Sequence, residues 1–308
     1  MPDPPSARPA GPPDPAAFAV ALLALDGVGR VTAHRLLERF ASADALRACP
    51  REQVLLRLKG APKSDRTVEL LFSDALDAAL AAASAETARL AATGVQTLAP
   101  GSAAWPAGLA DLDRAERPAV LYAYGNAAAL SRPLLAVMGR PPVPAGSFEA
   151  AQRLARRAAA AGAGVAAGLA HGFDVAVLKV SAAAPAVAVI GSGLATLTPS
   201  LRPTATALVR AGGLLRSPFP MAHGPFPHDD RERALVQAAL ARAVVVAAPA
   251  DASPESRAAA WAAAHGRPVA LVGDSAEAWA EHALRADGDA SDDTVLGWLR
   301  DASAGIAP

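Results

Sequence analysis

Short apolar runs that end in glycine constrain the fold of this chain more than any other feature of its sequence. Three of them end at Gly139, Gly168 and Gly191, roughly 20 to 30 residues apart, which leaves room for the crossover helix that joins two parallel strands. Glycine lets the chain turn sharply at the carboxyl end of a strand and lets a ligand approach the backbone. The spacing therefore predicts a parallel α/β sheet whose glycine-containing loops bind a ligand.

Composition limits the function. The chain has 308 residues, of which 52% are hydrophobic, enough for a large buried core. No apolar run approaches the roughly 18 residues of a membrane span, and Met1-Pro2-Asp3-Pro4-Pro5 lacks the features of a signal peptide. We therefore predict a cytoplasmic protein without a membrane partner. The single cysteine, Cys49, can form neither an internal disulfide nor a Cys-rich zinc site.

Charge and histidine spacing narrow the possible ligands. Lys plus Arg and Asp plus Glu number 29 each, which argues against strong non-specific binding to nucleic acid but permits a local basic face. The six histidines include no His-x-x-x-His pair, and neither a metal site nor a cofactor is predicted.

The chain divides into four predicted segments. Residues 1–16 contain seven prolines and almost no large apolar side chain, which predicts a disordered leader. Helical patterns fill residues 17–95, and strands alternate with helices over residues 96–275. Residues 276–308 are predicted as an acidic helical tail, too short for a winged-helix domain.

A helix, a tight turn and a second helix are predicted between Phe18 and Phe40, with Asp26-Gly27-Val28-Gly29 as the turn. In such a hairpin the glycines free backbone N–H groups at the start of the second helix to face a phosphate. The alternative, which the sequence leaves open, is a helix pair that only packs as a small α domain.

Six segments are predicted as strands because they are apolar at nearly every position, as strands covered on both faces should be. They are residues 134–138, 163–167, 186–190, 212–216, 243–248 and 268–272. The clearest helix between them is residues 147–161, with Ser147 as N-cap and Gly162 closing it. The predicted fold class is α/β, a doubly wound parallel sheet preceded by a small all-α domain.

Several motifs occur in an order that resembles one known family. They are the hairpin, Trp105-Pro106, the segment from Pro118 to Asn126, Gly139-Arg140, the segment from Gly168 to Asp174, Gly191-Ser192-Gly193 and Gly212-Gly213. Their order resembles the DNA-processing protein A (DprA/Smf) family over residues 18–273. The resemblance implies an extended Rossmann fold behind a helix-hairpin-helix (SAM-like) domain. It also implies single-stranded DNA as ligand during natural transformation, RecA recombinase as partner in recombination, a homodimer, and neither a cofactor nor an enzymatic activity.

The resemblance also assigns residues to DNA binding. The family's Gly-Ser-Arg appears here as Met138-Gly139-Arg140, which keeps the arginine. In the next motif His171 replaces the usual arginine, so a permanent charge becomes one that depends on pH. A rival interpretation is that Gly168, Gly172 and Asp174 only shape a turn and cap the next helix.

Later motifs are less regular. The family's Phe-Pro-x-Arg-Asn-Arg corresponds to the segment from Phe226 to Arg233, and either Arg231 or Arg233 could be its functional arginine. Phe173, Phe219 and Phe226 are the few aromatic candidates for stacking against bases. The full set of predicted DNA-contacting residues is Gly139, Arg140, Ser147, Gly168, His171, Gly172, Asp174, Gly191, Gly193, Arg202, Arg231, Arg233 and Ser253.

Two other functions stay open. One is a regulatory or structural paralogue that keeps the fold and has lost DNA binding, because several motifs are altered. The other is a nucleotide-binding enzyme that resembles the lysine-decarboxylase-like proteins, although their Pro-Gly-Gly-x-Gly-Thr-x-x-Glu string is absent from this sequence. A dinucleotide oxidoreductase is disfavoured because Pro142 and Pro144 lie where its glycine-rich loop would be.

Overall fold

The computed structural model describes residues 14–301 and consists of two compact units. One unit runs to Leu90 and includes Leu98–Trp105, and the other contains Ala91–Thr97 and the chain from Pro106 onward. Helix α1 begins at Pro15, inside the range 1–16 predicted as a leader. The rest of that range, up to residue 13, lies outside the described residues.

The first unit is helical. Its elements are α1 (Pro15–Ala24), α2 (Arg30–Leu37), α3 (Ala43–Arg47), α4 (Arg51–Arg57), α5 (Ser64–Leu71) and α6 (Asp74–Ala92). The predicted hairpin is confirmed, because α1 and α2 flank a turn in which Gly27 has a φ of +78°, a conformation that glycine adopts without strain. Ala17 and Ala21 of α1 pack against Ala83 of α6.

The second unit is built on a mostly parallel sheet. Its strands are β1 (Val95–Leu98), β2 (Leu121–Gly125), β3 (Leu134–Gly139), β4 (Gly164–Gly168), β5 (Val187–Val189), β6 (Leu214–Ser217), β7 (Ala243–Ala247), β8 (Val269–Val272) and β9 (Leu284–Arg285). Their order in the sheet is β1-β2-β6-β5-β4-β3-β7-β8-β9. The pairs from β6 to β9 are parallel, and β2 is antiparallel to β6. All six predicted strands are confirmed, and so is the fold class.

Helices cover both faces of this sheet. They are α7 (Ala145–Ala160), α8 (Gly172–Val180), α9 (Arg202–Arg210), α10 (Asp229–Leu240), α11 (Pro254–Ala264) and α12 (Asp289–Arg300). Residues of α7, α8, α9 and α12 share one apolar core with alternate strand residues, among them Leu135, Val165 and Leu215. Helices α10 and α11 contact strands β3, β4, β5, β7 and β8 and take no part in that core, so they lie on the opposite face.

The start of α7 differs from the prediction. Pro144 is the N-cap, the helix begins at Ala145, and Ser147 is its third residue with no capping hydrogen bond. The prediction that Ser147 caps the helix is therefore wrong. Proline has a fixed φ and is favoured around the first helical position, and the N-cap therefore lies three residues earlier than predicted. Gly162 follows the helix with a φ of +85°, as predicted.

The described part of the acidic C-terminal segment belongs to the second unit. Strand β9 pairs with β8, and α12 packs on α7. Asp292 of α12 is fully buried and accepts hydrogen bonds from Arg153 Nε (2.7 Å) and Arg157 Nη1 (3.3 Å). Between residues 14 and 301, no helix combines the length and the apolar character that crossing a membrane requires.

Candidate functional site

The strand order creates a crevice beside the central strand β3. From β3 the chain adds β4, β5 and β6 on one side, and it then returns to add β7, β8 and β9 on the other. The loops that follow β3 and β7 therefore diverge, and open α/β sheets bind ligands at such a reversal, at the carboxyl ends of the strands. Gly139 ends β3 at this place, and Arg140 follows it. We call this region the switch-point crevice.

Arg140 lies in the crevice between two carboxylates. Its Nη2 donates to Asp230 Oδ2 at 2.6 Å, and its Nε donates to Glu255 Oε2 at 3.1 Å. Burial lowers the pKa of Arg140, but the hydrogen bonds to both carboxylates outweigh burial and raise the pKa overall. The side chain keeps 35% of its surface exposed. A permanent positive charge is therefore open to solvent but already paired.

Arg233 is the buried centre of the same cluster, with 2% of its side chain exposed. Its Nη2 donates to Glu255 Oε1 (2.9 Å), its Nε to Asp230 Oδ1 (3.2 Å) and its Nη1 to Gln237 Oε1 (3.0 Å). Gln237 in turn donates to backbone carbonyls of β3 and β4. Arg233 therefore joins α10, α11 and the sheet and has no surface with which to contact a ligand.

Gly168 and Asp174 shape the loop after β4. A Cβ at Gly168 would lie 2.7 Å from both Arg233 Nη1 and Asp174 Oδ2, so only glycine fits there. The buried Asp174 carboxylate accepts a hydrogen bond from the Ala170 N–H at 2.9 Å. This geometry supports the interpretation that these residues form the turn into α8, whose first residue is Gly172.

His171 lies at the N-cap of α8. Its Nδ1 is 3.5 Å from Asp174 Oδ2, and neither ring nitrogen makes a hydrogen bond to any residue of the described chain. The ring is mostly buried beside the carboxylate, so His171 occupies the predicted place without reaching far into solvent.

The two glycines after β5 allow close approach of other segments. A Cβ at Gly191 would lie 3.4 Å from Asp230 Oδ1, and one at Gly193 would collide with the carbonyl oxygens of Pro220 and Met221. The Gly193 N–H donates to the His223 carbonyl at 2.8 Å. Both glycines therefore position the segment that precedes α10.

That segment carries four aromatic rings in contact, which we call the ring cluster: Phe219, His223, Phe226 and His228. Phe219 stacks on His223 (centroids 4.6 Å apart), His223 meets Phe226 edge-on (5.2 Å), and Phe226 stacks on His228 (5.6 Å). Phe226 is 49% exposed, and the His228 side chain is more exposed still. The cluster thus presents flat ring surface to solvent.

Asp229, the first residue of α10, holds the ring cluster. Its buried carboxylate lies 2.8 Å from His223 Nε2 and 3.3 Å from His228 Nε2, and it accepts from the Phe226 N–H at 3.1 Å. The sequence motifs do not predict this role for His223 and His228. The signal that indicates it is the spacing of His223, Phe226 and His228 just before Asp229, the first residue of a helix.

The other predicted residues lie in different surroundings. Arg231 is exposed and pairs with Glu116, and Arg202 donates to the Leu197 carbonyl at 3.3 Å. Ser253 caps α11 by accepting from the Ser256 N–H at 3.1 Å. Ser147 lies on the other face of the sheet, beside Gly273. Phe173 is buried beneath Gly139, so of the three phenylalanines only Phe226 is exposed.

These elements define a Rossmann-like α/β protein with an N-terminal helical unit. The family model of DNA recombination-mediator protein A matches residues 96–290, more than half of the chain, and the chain belongs to this family. The predicted family resemblance is confirmed. Among curated proteins, none matches this chain.

Two solved structures show the same fold. DNA processing protein A from Streptococcus pneumoniae is 16% identical, with a TM-score of 0.57 over 88% of this chain and 93% of that one. DNA processing protein A from Helicobacter pylori, described for its single-stranded DNA binding mode, is 21% identical, with a TM-score of 0.51 over 59% of this chain and 82% of that one.

Proposed function

We propose that this protein binds single-stranded DNA at the switch-point crevice. The observation that carries the proposal is the pair Asp229 and Asp230 at the start of α10. Asp229 holds the ring cluster, and Asp230 holds Arg140. One helix start thus contacts both an exposed aromatic surface, through Asp229, and the partly exposed Arg140, through Asp230.

These two features match the two parts of a single strand. Bases stack on aromatic rings without regard to sequence, and phosphates pair with cationic side chains. Phe226 and His228 offer the stacking surface, and Arg140 offers the phosphate contact, with Arg231 and Arg202 as further exposed cations. Membership of the family and the single-stranded DNA binding of the Helicobacter pylori relative support the same ligand.

The carboxylates around Arg140 set the strength of binding. A phosphate must share or displace the hydrogen bonds that Asp230 and Glu255 accept, and both acids repel it. We therefore expect modest affinity that falls as salt rises, since each phosphate that the protein neutralises contributes a slope of about −0.7 in log K against log salt.

Fluorescence anisotropy with labelled oligothymidine at low and moderate salt tests the proposal. Wild type should bind with a salt-dependent constant. Arg140→Ala should weaken binding and make the salt slope less negative by about 0.7, because one phosphate contact is lost. The matched control is Arg210→Ala, an exposed arginine at the end of α9, which should bind like wild type.

Two results would contradict the proposal. Absence of salt-dependent binding by folded wild type would exclude it. Equal binding by wild type and Arg140→Ala would show that DNA contacts another part of the protein.

The second candidate function is a paralogue that keeps the fold and does not bind DNA. The observation that favours it is the neutralisation of Arg140 by two acids, together with the burial of Arg233. It predicts no oligothymidine binding even at low salt, while thermal unfolding stays cooperative.

We also propose, from family membership, that the protein acts in DNA uptake and in RecA-mediated recombination and that it forms a homodimer. Light scattering after size-exclusion chromatography measures the molar mass and so tests for the homodimer. Co-purification with RecA in the presence of oligothymidine tests for binding to RecA.

A further inference from the structure

We propose a second site, for a nucleoside monophosphate, in a cavity on the face of the sheet opposite α10 and α11. The cavity has a volume of about 450 Å³ and lies between the start of α7 and the ends of β8 and β9. This volume is in the range of small-molecule pockets. Its lining includes Gly146, Ser147, Gly273, Asp274, Arg285 and Asp287.

Ser147 is the first reason to assign a ligand. The residue is 8% exposed, and within residues 14–301 its hydroxyl makes no hydrogen bond. The hydroxyl oxygen is not among the fully enclosed atoms, and Ser147 lines the cavity, so a hydrogen-bond partner for this oxygen can come from the cavity. The hydroxyl lies over Gly273, where a Cβ would come within 2.6 Å of it. Glycine at position 273 thus leaves this hydroxyl room beside the cavity.

The start of α7 adds further donors at the same place. The first helical hydrogen bond runs from the Phe148 N–H to the Pro144 carbonyl, so the N–H groups of Gly146 and Ser147 precede it and have no partner in the helix. A 16-residue helix also directs the positive end of its dipole here. Free N–H groups, a free hydroxyl and this dipole together suit a phosphate.

The remaining charged groups define the rest of the ligand. Arg285 uses its Nη1 for the Gly273 carbonyl (2.6 Å) and Asp274 (3.3 Å), and its Nε and Nη2 make no hydrogen bond inside the described chain. Arg153 is held by Asp292. Asp274 and Asp287 are exposed acceptors at the rim, which suit sugar hydroxyls or base amino groups but repel a second phosphate. One phosphate joined to a nucleoside fits this arrangement.

This cavity is distinct from the charged cluster of the switch-point crevice, because Asp230 and Glu255, which hold Arg140, lie on α10 and α11, and none of these three residues lines the cavity. A phosphate monoester on a nucleoside can come from a free nucleotide or from the 5′ end of a DNA strand. The same phosphate contacts serve both, and the experiment distinguishes them.

Isothermal titration calorimetry of the full chain with adenosine 5′-monophosphate tests the proposal. Wild type should bind it, whereas adenosine and inorganic phosphate should each bind more weakly. Ser147→Ala should weaken binding about tenfold, as expected for a lost hydrogen bond to a charged group, and Arg285→Ala should also weaken it. Arg210→Ala is the matched control and should bind the nucleotide like wild type.

A 5′-phosphorylated oligothymidine identifies the source. If it displaces the nucleotide better than its 5′-hydroxyl counterpart does, the site takes strand ends. If neither oligothymidine displaces adenosine 5′-monophosphate appreciably, the site takes free nucleotides. No nucleotide binding by wild type, or unchanged binding by Ser147→Ala, would overturn the proposal. Arg140→Ala should still bind the nucleotide, so failure of the crevice proposal leaves this one testable.

Discussion

At the scale of single residues, Asp230 both stabilises the fold and limits ligand binding. It accepts from Arg140 at 2.6 Å and from Arg233 at 3.2 Å. Asp230→Asn should strengthen oligothymidine binding several-fold, because one competing charge is removed from Arg140. It should also lower the free energy of unfolding by about 1–3 kcal/mol, since the buried Arg233 loses a charged hydrogen-bond partner. Asp65→Asn, in the helical unit, controls for the change in net charge. Weaker binding by Asp230→Asn would contradict the expectation.

The pKa of Asp230 gives this residue a measurable pH signature. Burial raises the pKa, but the charge of Arg233 and the hydrogen bond from Arg140 outweigh burial and lower it overall. A carboxyl group with a lowered pKa stabilises the fold above its unfolded pKa of about 3.9, and this stability is lost as pH falls through the folded value. The free energy of unfolding, measured with urea, should therefore fall more steeply below about pH 4 for wild type than for Asp230→Asn.

Arg216 is a buried cation that has no hydrogen-bonding partner among residues 14–301. It lies on β6 between Ala123 and Val189, it is fully buried, and none of its side-chain nitrogens bonds to a described residue. Burial lowers its pKa to about 10. The charged form therefore costs stability at every pH below about 10, and the cost decreases as pH rises above that value.

Replacement of Arg216 should stabilise the protein. Arg216→Met should raise the free energy of unfolding by about 1–4 kcal/mol, since a similar apolar volume needs no desolvation of charge. Arg267→Met is the contrast, because Arg267 donates to the Ala241 carbonyl, pairs with Asp111 and lies over the Trp261 ring. Arg267→Met should therefore lower the free energy of unfolding. Chemical denaturation at pH 7 measures both, and equal losses in the two variants would contradict the assignment of Arg216.

At the scale of elements, the segment between β6 and α10 carries the exposed aromatic surface. Phe226→Ala should weaken oligothymidine binding by about 1–3 kcal/mol, the usual contribution of one stacked base. Phe226→Tyr should bind like wild type, because it keeps a ring. Anisotropy measures both, and unchanged melting temperatures show that the half-exposed ring is not needed for folding. If Phe226→Ala binds as tightly as Phe226→Tyr, the ring cluster is not the stacking surface.

The elements also show what could be predicted from the sequence. The central strands were predictable because burial on both faces makes them apolar at nearly every position. Strand β9 has two residues and β1 lies at the edge of the sheet, so neither gives that pattern. The sequence leaves open whether Arg231 or Arg233 is the functional arginine. The structure of α10 is needed to separate them, because residues two apart in a helix point about 200° from each other. One arginine is therefore exposed and the other buried.

The interactions within the crevice were not predictable for a different reason. Arg140 lies 90 positions from Asp230 and 115 from Glu255, and no local pattern links residues so distant. The sequence motifs placed Gly139, Arg140 and Gly168 correctly at strand ends. They could not show that Asp230 and Glu255 hold both Arg140 and Arg233.

At the scale of the whole molecule, the acidic C-terminal segment completes the second unit. Removal of residues 276–308 would take away β9 and α12, whose Val295, Leu296 and Leu299 belong to the core. The free energy of unfolding should fall by several kcal/mol, because each large apolar side chain contributes about 1.5–3 kcal/mol on burial. Calorimetry should show a lower melting temperature for the truncated chain. Asp292→Ala, which leaves Arg153 and Arg157 without their buried partner, should give a smaller loss in the same direction. An unchanged melting temperature after truncation would show that the segment is a dispensable tail.

The strand order also determines when the crevice can form during synthesis. Leu135 of β3 pairs with Ala243 of β7, 108 positions later in the chain, and contacts between such distant residues form slowly because a long loop must close first. Asp230 and Glu255 are likewise translated long after Arg140. A nascent chain that ends before α10 therefore exposes Arg140 without the acids that restrain it, and only the nearly finished protein has the restrained arginine.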